Sequence, residues 1–494
     1  MANTKVLRLV ITKSPAWLFS LLSKQKIIVY LNATAQKVPA YMAFLKSNGY
    51  TWRPLLSRRD ISKLPETTKE NYVLAHSLEQ RMLLGKLPQA GSIDESAGST
   101  GKATMWVRSY QEEQKLLRLI TFALDYTFQS FSKKNIVVLN CWSNGPWATG
   151  IKFAFIAQQS TIVKAIGTNK QNVIDTITTL GNKYEYVLCG YPPFMKEVVD
   201  HGEEMGIKWS DYRVNIVTGG EGFSEGWRDF MRNKIKGSQG EVYSAYGASD
   251  IDIGIAFETD FSIALRKKLT SDSVLRKRVL RDERIPLFIG QYNPLIYYIE
   301  VSPQGELIYT LMNQKTASPK IRYNLKDSGT LLDYSEAAEI LTTGNHRQLL
   351  KQSMKLPLVV VYGRSDGTIS LDGANIYPAD VQHALFSSDL GSKIHSFFLD
   401  TAYEADQSIY FAVHLELTEQ TKLSSLSQQQ IQSTTNLIIS HLSSVNQDFA
   451  ESYENNRASL TPQLHLHEYG SDQFKHNTGR IKHAYYAKKS TVKP

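Results

Sequence analysis

Four short apolar runs, each bounded by Gly or Asn, constrain the fold of this chain more than any other feature. The runs are residues 135–139, 160–167, 184–190 and 214–220. Longer stretches with helical patterns lie around them, at residues 110–130, 170–180 and 224–236. Buried strands that alternate with helices form a largely parallel sheet with helices packed on its faces. The sequence therefore predicts a layered α/β core.

The length of the chain predicts more than one domain. It has 494 residues, whereas single hydrophobic cores stop growing near ~250–300 residues. At 359–367 a β run meets Gly and a charge pair, which indicates a boundary between units. Beyond it, residues 396–400 and 408–417 are predicted to be strands of a smaller α+β unit. The Ser- and Gln-rich stretch 424–436 leads into apolar residues at helical spacing, which predicts one surface helix. We expect a large domain over 1–364 and a small, mobile C-terminal α+β domain over 365–494.

Composition excludes several classes of protein. Hydrophobic residues are 42% and charged residues 21% of the chain, the balance of a globular protein. The two cysteines, Cys141 and Cys189, exclude a disulfide framework and a Cys-based zinc cluster, and they suit the reducing cytoplasm. No apolar run reaches ~20 residues, so we expect no membrane span. The net charge of +9 suits polyanionic small molecules, and no nucleic-acid-binding motif accompanies it.

The segment SAGSTGKAT, residues 96–104, combines hydroxyl residues, two glycines and a lysine. Glycine lets the backbone approach a phosphate closely, and the N–H groups, hydroxyls and Lys102 can then surround its oxygens. The segment is not a Walker A loop, because Ser96 and Ala103 stand where that motif needs Gly and Ser or Thr. It predicts a phosphate-binding loop, with a plain flexible loop as the alternative.

A second segment, TGGEGFSEGW at 218–227, contains the pattern Gly-x-Ser-x-Gly around Ser224. Between a strand and a helix, that pattern is typical of a hydrolase nucleophile. However, Gly219, Gly220 and Glu221 separate it from the strand, and Ser is also an ordinary helix N-cap. A serine hydrolase that uses Ser224 is therefore an alternative function.

Four further segments carry candidate chemistry. Asp250 follows Ser249 after a Gly turn in YSAYGASDIDIG, 243–254, and a carboxylate there suits Mg²⁺ shared with substrate phosphates. The other three are IRYNLKD at 321–327, a hinge and hairpin pattern at 362–381, and a basic Gly-containing loop at 475–486.

These six segments, in this order, resemble the adenylate-forming superfamily, and most closely the phenylacetate–coenzyme A ligase family. The resemblance runs from residues 38–49 to the C-terminal loop. It implies a ligase that joins a carboxylic acid to AMP with ATP and Mg²⁺, and then passes the acyl group to a thiol such as coenzyme A. It also implies a large domain that binds ATP and the acid, and a small domain that rotates between the two steps.

The resemblance also implies roles for individual residues at the nucleotide phosphates and the base. Gly219, Gly220 and Glu221 would border the adenine. Ser249 would contact the α-phosphate, and Asp250 would hold Mg²⁺ where the family has Glu. The phosphate loop and the turn before Ser249 would supply the remaining contacts, from Ser96, Gly98, Ser99, Thr100, Gly101, Lys102, Tyr246 and Gly247.

Further along the chain, the resemblance assigns residues to the ribose site, to the hinge between the domains and to the tunnel for the thiol. Asp327 would bind the ribose hydroxyls, and Arg364 and Asp366 match the pattern Gly-Arg-x-Asp with Asp366 at the hinge. Gly373 would lie near the pantetheine tunnel. Arg480 stands where the family has a lysine that supports adenylate formation, and we expect its charge to serve the same purpose.

Other functions and partners stay open. The acceptor could be a carrier protein, or AMP itself could be transferred, and the basic segment 262–284, read as an exposed helix, slightly favours a macromolecular partner. A non-catalytic binding protein with the same fold and a homodimer are further alternatives. Aromatic side chains near the segments described, with Pro146 among them in the sequence, suggest an aryl or other small organic acid as substrate: Trp142, Trp147 and Tyr246.

Overall fold

The structure, a computed structural model, describes residues 4–96, 104–129, 131, 135–145, 147–235, 240–342, 347–365 and 367–474. The helices in these ranges are α1 (Thr4–Lys13), α2 (Ala16–Thr34), α3 (Pro39–Ser47), α4 (Arg58–Ile61), α5 (Tyr110–Thr127), α6 (Gly150–Ala157), α7 (Lys170–Leu180), α8 (Pro192–Glu204), α9 (Glu225–Lys234), α10 (Asp260–Ser271), α11 (Ser273–Leu280), α12 (Tyr334–Thr342), α13 (Arg347–Gln352), α14 (Pro378–Phe386), α15 (Gln428–Val445), α16 (Gln447–Asn455) and α17 (Arg457–Leu460).

The strands are β1 (Gly91–Ser96), β2 (Thr104–Ser109), β3 (Ile136–Asn140), β4 (Ile162–Ala165), β5 (Glu185–Gly190), β6 (Arg213–Gly219), β7 (Val242–Ala248), β8 (Asp252–Phe257), β9 (Phe288–Tyr292), β10 (Tyr297–Val301), β11 (Glu306–Leu311), β12 (Tyr323–Leu332), β13 (Leu358–Arg364), β14 (Ile369–Leu371), β15 (Ala374–Ile376), β16 (Ile394–Tyr403), β17 (Ile409–Leu417) and β18 (Gln463–His467).

An 11-stranded sheet in the order β10-β11-β12-β13-β9-β8-β7-β6-β5-β3-β4 forms the centre of the molecule. The neighbours from β4 to β7 are all parallel. From β7 to β10 every pair is antiparallel. The four apolar runs are β3 to β6, so the predicted parallel α/β core is confirmed, and the antiparallel half is an addition that their pattern did not reveal.

The C-terminal part forms a separate α+β domain with its own core. It contains the hairpin β14–β15 and the three-stranded sheet β16-β17-β18, in which β17 and β18 are parallel. One cluster of buried apolar side chains, from Leu371 to Leu460, lies wholly within it. The predicted hairpin and strands are thus present.

The single helix expected after 424–436 is two helices. Ile438 and Leu442 of α15 are buried as predicted, but the helix ends at Val445, and Phe449 belongs to α16. Asn446 causes the break, because its side-chain oxygen accepts a hydrogen bond from the N–H of Phe449 (3.1 Å) and so begins a new helix.

The basic segment 262–284 is not the exposed helix that was expected. It forms α10 and α11, and Arg266 and Arg276 are only 1% and 6% exposed. Arg266 pairs with Glu225 (3.2 Å) and Glu258 (3.3 Å). These two arginines stabilise the interior, whereas other basic residues of the segment are exposed: Lys268, Lys277, Arg278 and Arg281.

No single helix in the described ranges is long and apolar enough to cross a membrane. The two N-terminal helical segments, 6–13 and 16–37, pass that test only as a pair, and they are bent by 104° where they meet.

Candidate active site

A cavity of about 700 Å³ lies at the carboxyl ends of the parallel strands. Residues that directly follow or end β3, β5, β6 and β7 line it, which is where ligands bind in open α/β sheets. Because β6 and β7 are parallel neighbours with Gly219 opposite Ala245, the segments 218–227 and 243–254 meet at one edge of the sheet. The antiparallel strands β12 and β13 and the hairpin β14–β15 close the other side.

The centre of the polar wall is Asp327. Its register partner across β12 and β13 is Arg364, and the two side chains form an ion pair (3.7 Å). The Tyr246 hydroxyl donates a hydrogen bond to the carboxylate of Asp327 (2.5 Å) and also contacts the hydroxyl of Tyr309 (2.8 Å). Three residues expected at the site, from three separate segments, are therefore in direct contact.

Asp250 faces the same cavity and accepts a hydrogen bond from the hydroxyl of Tyr323 (2.7 Å). No group of three or more His, Cys, Asp or Glu among the described residues could by itself hold a metal ion. One carboxylate is nevertheless what Mg²⁺ uses when substrate phosphates and water complete its coordination. The side chains present therefore fit a nucleotide-bound Mg²⁺ rather than a permanent metal centre.

A buried cation, Arg108, supports the turn that holds Ser249 and Asp250. Its guanidinium donates to the carbonyl oxygens of Ser249 (2.6 Å) and Ile251. Burial alone would lower the pKa of Arg108, but the carboxylates of Glu112, Asp252 and Asp94 outweigh burial and raise it. This role could not be predicted from the residues alone, since Arg108 lies 141 positions before Ser249 and only the tertiary fold brings them together.

Glu221 joins the two domains. Its side chain accepts a hydrogen bond from the N–H of Asp372 (3.0 Å), at the turn between β14 and β15. Burial raises the pKa of Glu221 well above its usual range, and the Asp372 carboxylate raises it further. Burial likewise raises the pKa of Asp372 to about 6. Two carboxyls that are difficult to ionise therefore lie where the small domain meets the large one.

Tyr191 fills the space between two of the expected glycines. A Cβ on Gly220 would lie 2.7 Å from the Tyr191 ring, and one on Gly373 would lie 2.6 Å from it. Both glycines also have a positive φ, of 90° and 86°, so any other residue would be strained as well as obstructed. Tyr191 was not predicted, although its position directly after the strand 185–190 was a signal that could have identified it.

Ser96 marks the start of the predicted phosphate loop. It ends β1 opposite Thr104 of β2, and its hydroxyl accepts hydrogen bonds from the indole N–H of Trp106 (2.8 Å) and from Lys69 (3.5 Å). Lys69 lines the cavity beside it. The other expected members of the loop, Gly98, Ser99, Thr100, Gly101 and Lys102, lie outside the described residues, as do Pro146, Asp366 and Arg480.

Ser224 is the N-cap of α9. A helix N-cap was the alternative that the sequence offered to a catalytic nucleophile at this position. Its hydroxyl accepts a hydrogen bond from the N–H of Trp227 (3.1 Å), and its own N–H donates to the hydroxyl of Tyr403 (2.9 Å). Of the described residues that line the cavity, none is a histidine. The geometry thus gives Ser224 no histidine base in this part of the chain.

The far end of the cavity is apolar. One face of α5 contributes side chains at helical spacing, and Val217, Trp142 and Phe153 belong to the same apolar cluster. The residues of the α5 face are Leu119, Ile120, Ala123, Leu124 and Thr127, and Phe128 follows directly. The cavity therefore has a charged end beside Asp327 and Asp250 and an apolar end beneath α5.

Comparisons with models of known protein families and with curated proteins return no match. Solved structures do match the fold. A 2-hydroxyisobutyryl-CoA ligase in complex with 2-HIB-AMP and CoA, in the thioesterification state, is 13% identical, with 93% of this chain and 88% of that chain covered and a TM-score of 0.61. The same ligase in the postadenylation state is 13% identical, with coverages of 97% and 90% and a TM-score of 0.54. Its open conformation is 12% identical, with coverages of 90% and 87% and a TM-score of 0.53.

These likenesses extend over nearly the whole chain, and at such low identity they concern the fold. The chain has the fold of the adenylate-forming ligases, with a large α/β domain and a separate C-terminal α+β domain.

Proposed function

We propose that this protein activates a carboxylic acid with ATP, releases pyrophosphate, and transfers the acyl group from the resulting acyl-adenylate to a thiol such as coenzyme A. The contact of Tyr246, Asp327 and Arg364 in a cavity of this fold carries the proposal. The phenylacetate–coenzyme A ligase family stays the closest resemblance on the motifs alone. The proposal includes a boundary directly after Arg364, between the large domain over 1–364 and the small domain over 365–494.

The two ends of the cavity suggest how the substrates are arranged. Asp327 would accept hydrogen bonds from the ribose hydroxyls, with Gly219, Gly220 and Glu221 beside the base. Tyr246, Gly247 and Ser249 would position the α-phosphate, with Mg²⁺ held by Asp250. The apolar end would then receive the body of the acid, whose carboxylate would point back toward the phosphate.

In the first reaction, a carboxylate oxygen of the acid attacks the α-phosphorus of ATP, and pyrophosphate leaves. Cations that face the developing negative charge lower the barrier most when they are already in place. Lys102 of the phosphate loop and Arg480 are the proposed cations. In the second reaction, the thiol sulfur attacks the acyl carbon and AMP leaves, after the small domain has rotated about Asp366.

The acid is apolar in this proposal, because the α5 face offers it no charged partner. Aromatic side chains at this end, Trp142 and Phe153, fit an aryl acid, and the row of aliphatic residues along α5 fits an alkyl chain. Transfer to a carrier protein remains the alternative second step.

Acid-dependent exchange of labelled pyrophosphate into ATP, across a panel of aryl and fatty acids, tests the first reaction. We expect exchange with at least one apolar acid, whereas steady release of ADP and phosphate would contradict the proposal. Arg480→Ala should slow exchange by roughly 10²–10³-fold, the usual cost of one preorganised donor. It should leave thiolysis of a synthetic acyl-adenylate unchanged, and Lys482→Ala is the control because it removes a nearby cation instead.

A further inference from the structure

The excess positive charge of this protein is confined to its first 59 residues. They carry ten Lys and Arg and no Asp or Glu, whereas residues 60–494 carry 46 Lys and Arg against 47 Asp and Glu. The formal net charge of +9 therefore comes entirely from the N-terminal segment. Nothing in the proposed chemistry at the cavity needs this distribution.

The same segment exposes an unusual amount of apolar surface. Of the 25 large hydrophobic side chains that are exposed in the described ranges, eight lie between residues 6 and 29. Trp17 and Val29 are 64% and 63% exposed. The other six are Val6, Leu7, Leu9, Val10, Leu21 and Leu22. Clustered exposed apolar side chains mark an interaction site more often than scattered ones do.

The two helices have the shape of a surface anchor. Ile11, Phe19 and Ile27 are buried in the protein, and neither helix alone is both long and apolar enough to span a bilayer. The two helices are bent by 104° where they meet, and each has exposed positions along its length. The exposed Leu56 lies close to the end of α2, because the Asn32 side chain bonds both the N–H (2.8 Å) and the carbonyl (2.9 Å) of Leu55.

We propose that α1 and α2 bind the surface of a bilayer that contains anionic phospholipid. Helices that lie in the membrane interface combine Lys and Arg with exposed Trp, Phe and Leu, and basic residues next to them are attracted to anionic headgroups. Lys13 and Lys24 are exposed beside the apolar side chains of these helices. A second copy of the chain fits this surface poorly, since a symmetric contact would bring two sets of like charges together.

A second cavity lies beside this surface and next to the main cavity. It has a volume of about 210 Å³, and Leu7 and Ile11 of α1 line it. Leu119 and Phe257 line both this cavity and the main one. If the proposed function holds, an apolar acid dissolved in the bilayer is the substrate class that this arrangement serves.

Co-sedimentation of the full chain with vesicles tests the membrane proposal without any assay of activity. We expect binding to phosphatidylcholine vesicles that contain phosphatidylglycerol, and much weaker binding to phosphatidylcholine alone or at high salt. The double variant Lys13→Glu/Lys24→Glu should bind anionic vesicles at least about tenfold more weakly. Trp17→Ser/Leu21→Ser should also weaken binding, because it removes apolar contact with the interface.

Matched controls change the same residue types elsewhere on the surface. Lys183→Glu/Lys208→Glu reverses two exposed lysines outside the segment, and Phe155→Ser/Ile162→Ser removes two exposed apolar side chains. Both should bind like the wild type, and equal losses in the controls and the test variants would overturn the proposal.

Two further results would overturn it: no binding of the wild type to anionic vesicles, or a dimer in sedimentation velocity that Trp17→Ser/Leu21→Ser dissociates, which would assign the surface to self-association. Binding needs neither ATP nor acid. A protein that binds vesicles but catalyses no exchange would therefore contradict only the proposed function.

Discussion

The two ends of the main cavity differ in how they are built. At the polar end, Asp327 contacts Tyr246 and Arg364 through side chains whose positions are set by strand register. At the apolar end, the wall is one face of α5, where Leu119 and Ala123 contribute only shape and hydrophobic area. The polar end is thus a set of specific contacts between strands, and the apolar end is a surface.

This difference predicts separate consequences for the two substrates. A change at the polar end should affect ATP and leave the choice of acid intact, because its contacts are directional and local. A change at the apolar end should do the reverse, since burial of apolar area is nearly proportional to the area removed from water.

The largest effect is expected for Asp327→Ala. It removes the carboxylate that accepts from Tyr246 and pairs with Arg364, and a hydrogen bond to a charged group contributes about 1.5–3 kcal/mol. We expect the KM for ATP in pyrophosphate exchange to rise about 100-fold, with the preferred acid unchanged.

Asp333→Ala is the matched control for that variant, because this exposed aspartate directly follows β12 and does not line the cavity. If both variants have the same modest effect, or if Asp327→Ala alters the preferred acid, the two ends do not act separately.

The apolar end should respond to chain length. Each methylene that enters it contributes about 0.8 kcal/mol, so kcat/KM should rise roughly fourfold per added methylene until the space is filled. Ala123→Trp should end that rise at a shorter acid and reduce kcat/KM for the longest good substrate by about tenfold, with the KM for ATP unchanged.

Gln111→Trp places the same bulky side chain at an exposed position of the same helix and should change nothing. A length preference that is identical in Ala123→Trp and the wild type would place the acid elsewhere in the cavity.

A smaller effect concerns pH and the contact between domains. Because burial raises the pKa of Asp372 to about 6, the Asp372 carboxyl binds its proton more tightly in the folded protein than in the unfolded chain. The contribution of Asp372 to stability is therefore largest near pH 4 and falls as the pH rises to 6. Relative to Asp372→Asn, the wild type should lose on the order of 1 kcal/mol of unfolding free energy over that interval.

Denaturant unfolding of both proteins between pH 4 and 7 measures this difference. Asp333→Asn, at an exposed site, corrects for the general loss of one carboxylate. A constant difference between the wild type and Asp372→Asn across the interval would show that Asp372 does not titrate there.

The smallest effect is expected at Ser224. Ser224→Ala removes the N-cap of α9 and should lower the free energy of unfolding by about 1 kcal/mol. Pyrophosphate exchange and any hydrolysis of esters should be unchanged. Loss of ester hydrolysis with normal stability would instead restore Ser224 as a nucleophile.

The parallel half of the sheet and the order of the polar segments could be predicted from the residue pattern alone. Strands β3 to β6 are predicted by apolar runs and by the turn residues that bound them. This pattern is local and does not depend on the rest of the chain. The meeting of 218–227 with 243–254 does not follow from those runs, because it depends on the pairing of β6 with β7, which was not among the predicted strands. The break at Asn446 was not foreseen, although this cap is a local contact with Phe449. The inward direction of Arg266 was not foreseen because its ion pairs depend on neighbours in space.

The distant residues that support the site are apparent only in the folded molecule. Arg108 reaches the carbonyl of Ser249, Tyr191 packs against Gly220 and Gly373, and the N-terminal helix lines a cavity next to the acid end. Each of these contacts joins segments that are far apart in the chain, and the local sequence of one segment does not indicate which other segment it contacts. Which segments pack together depends on their shape and on the area that they bury. A pattern of residue types along the chain contains neither quantity.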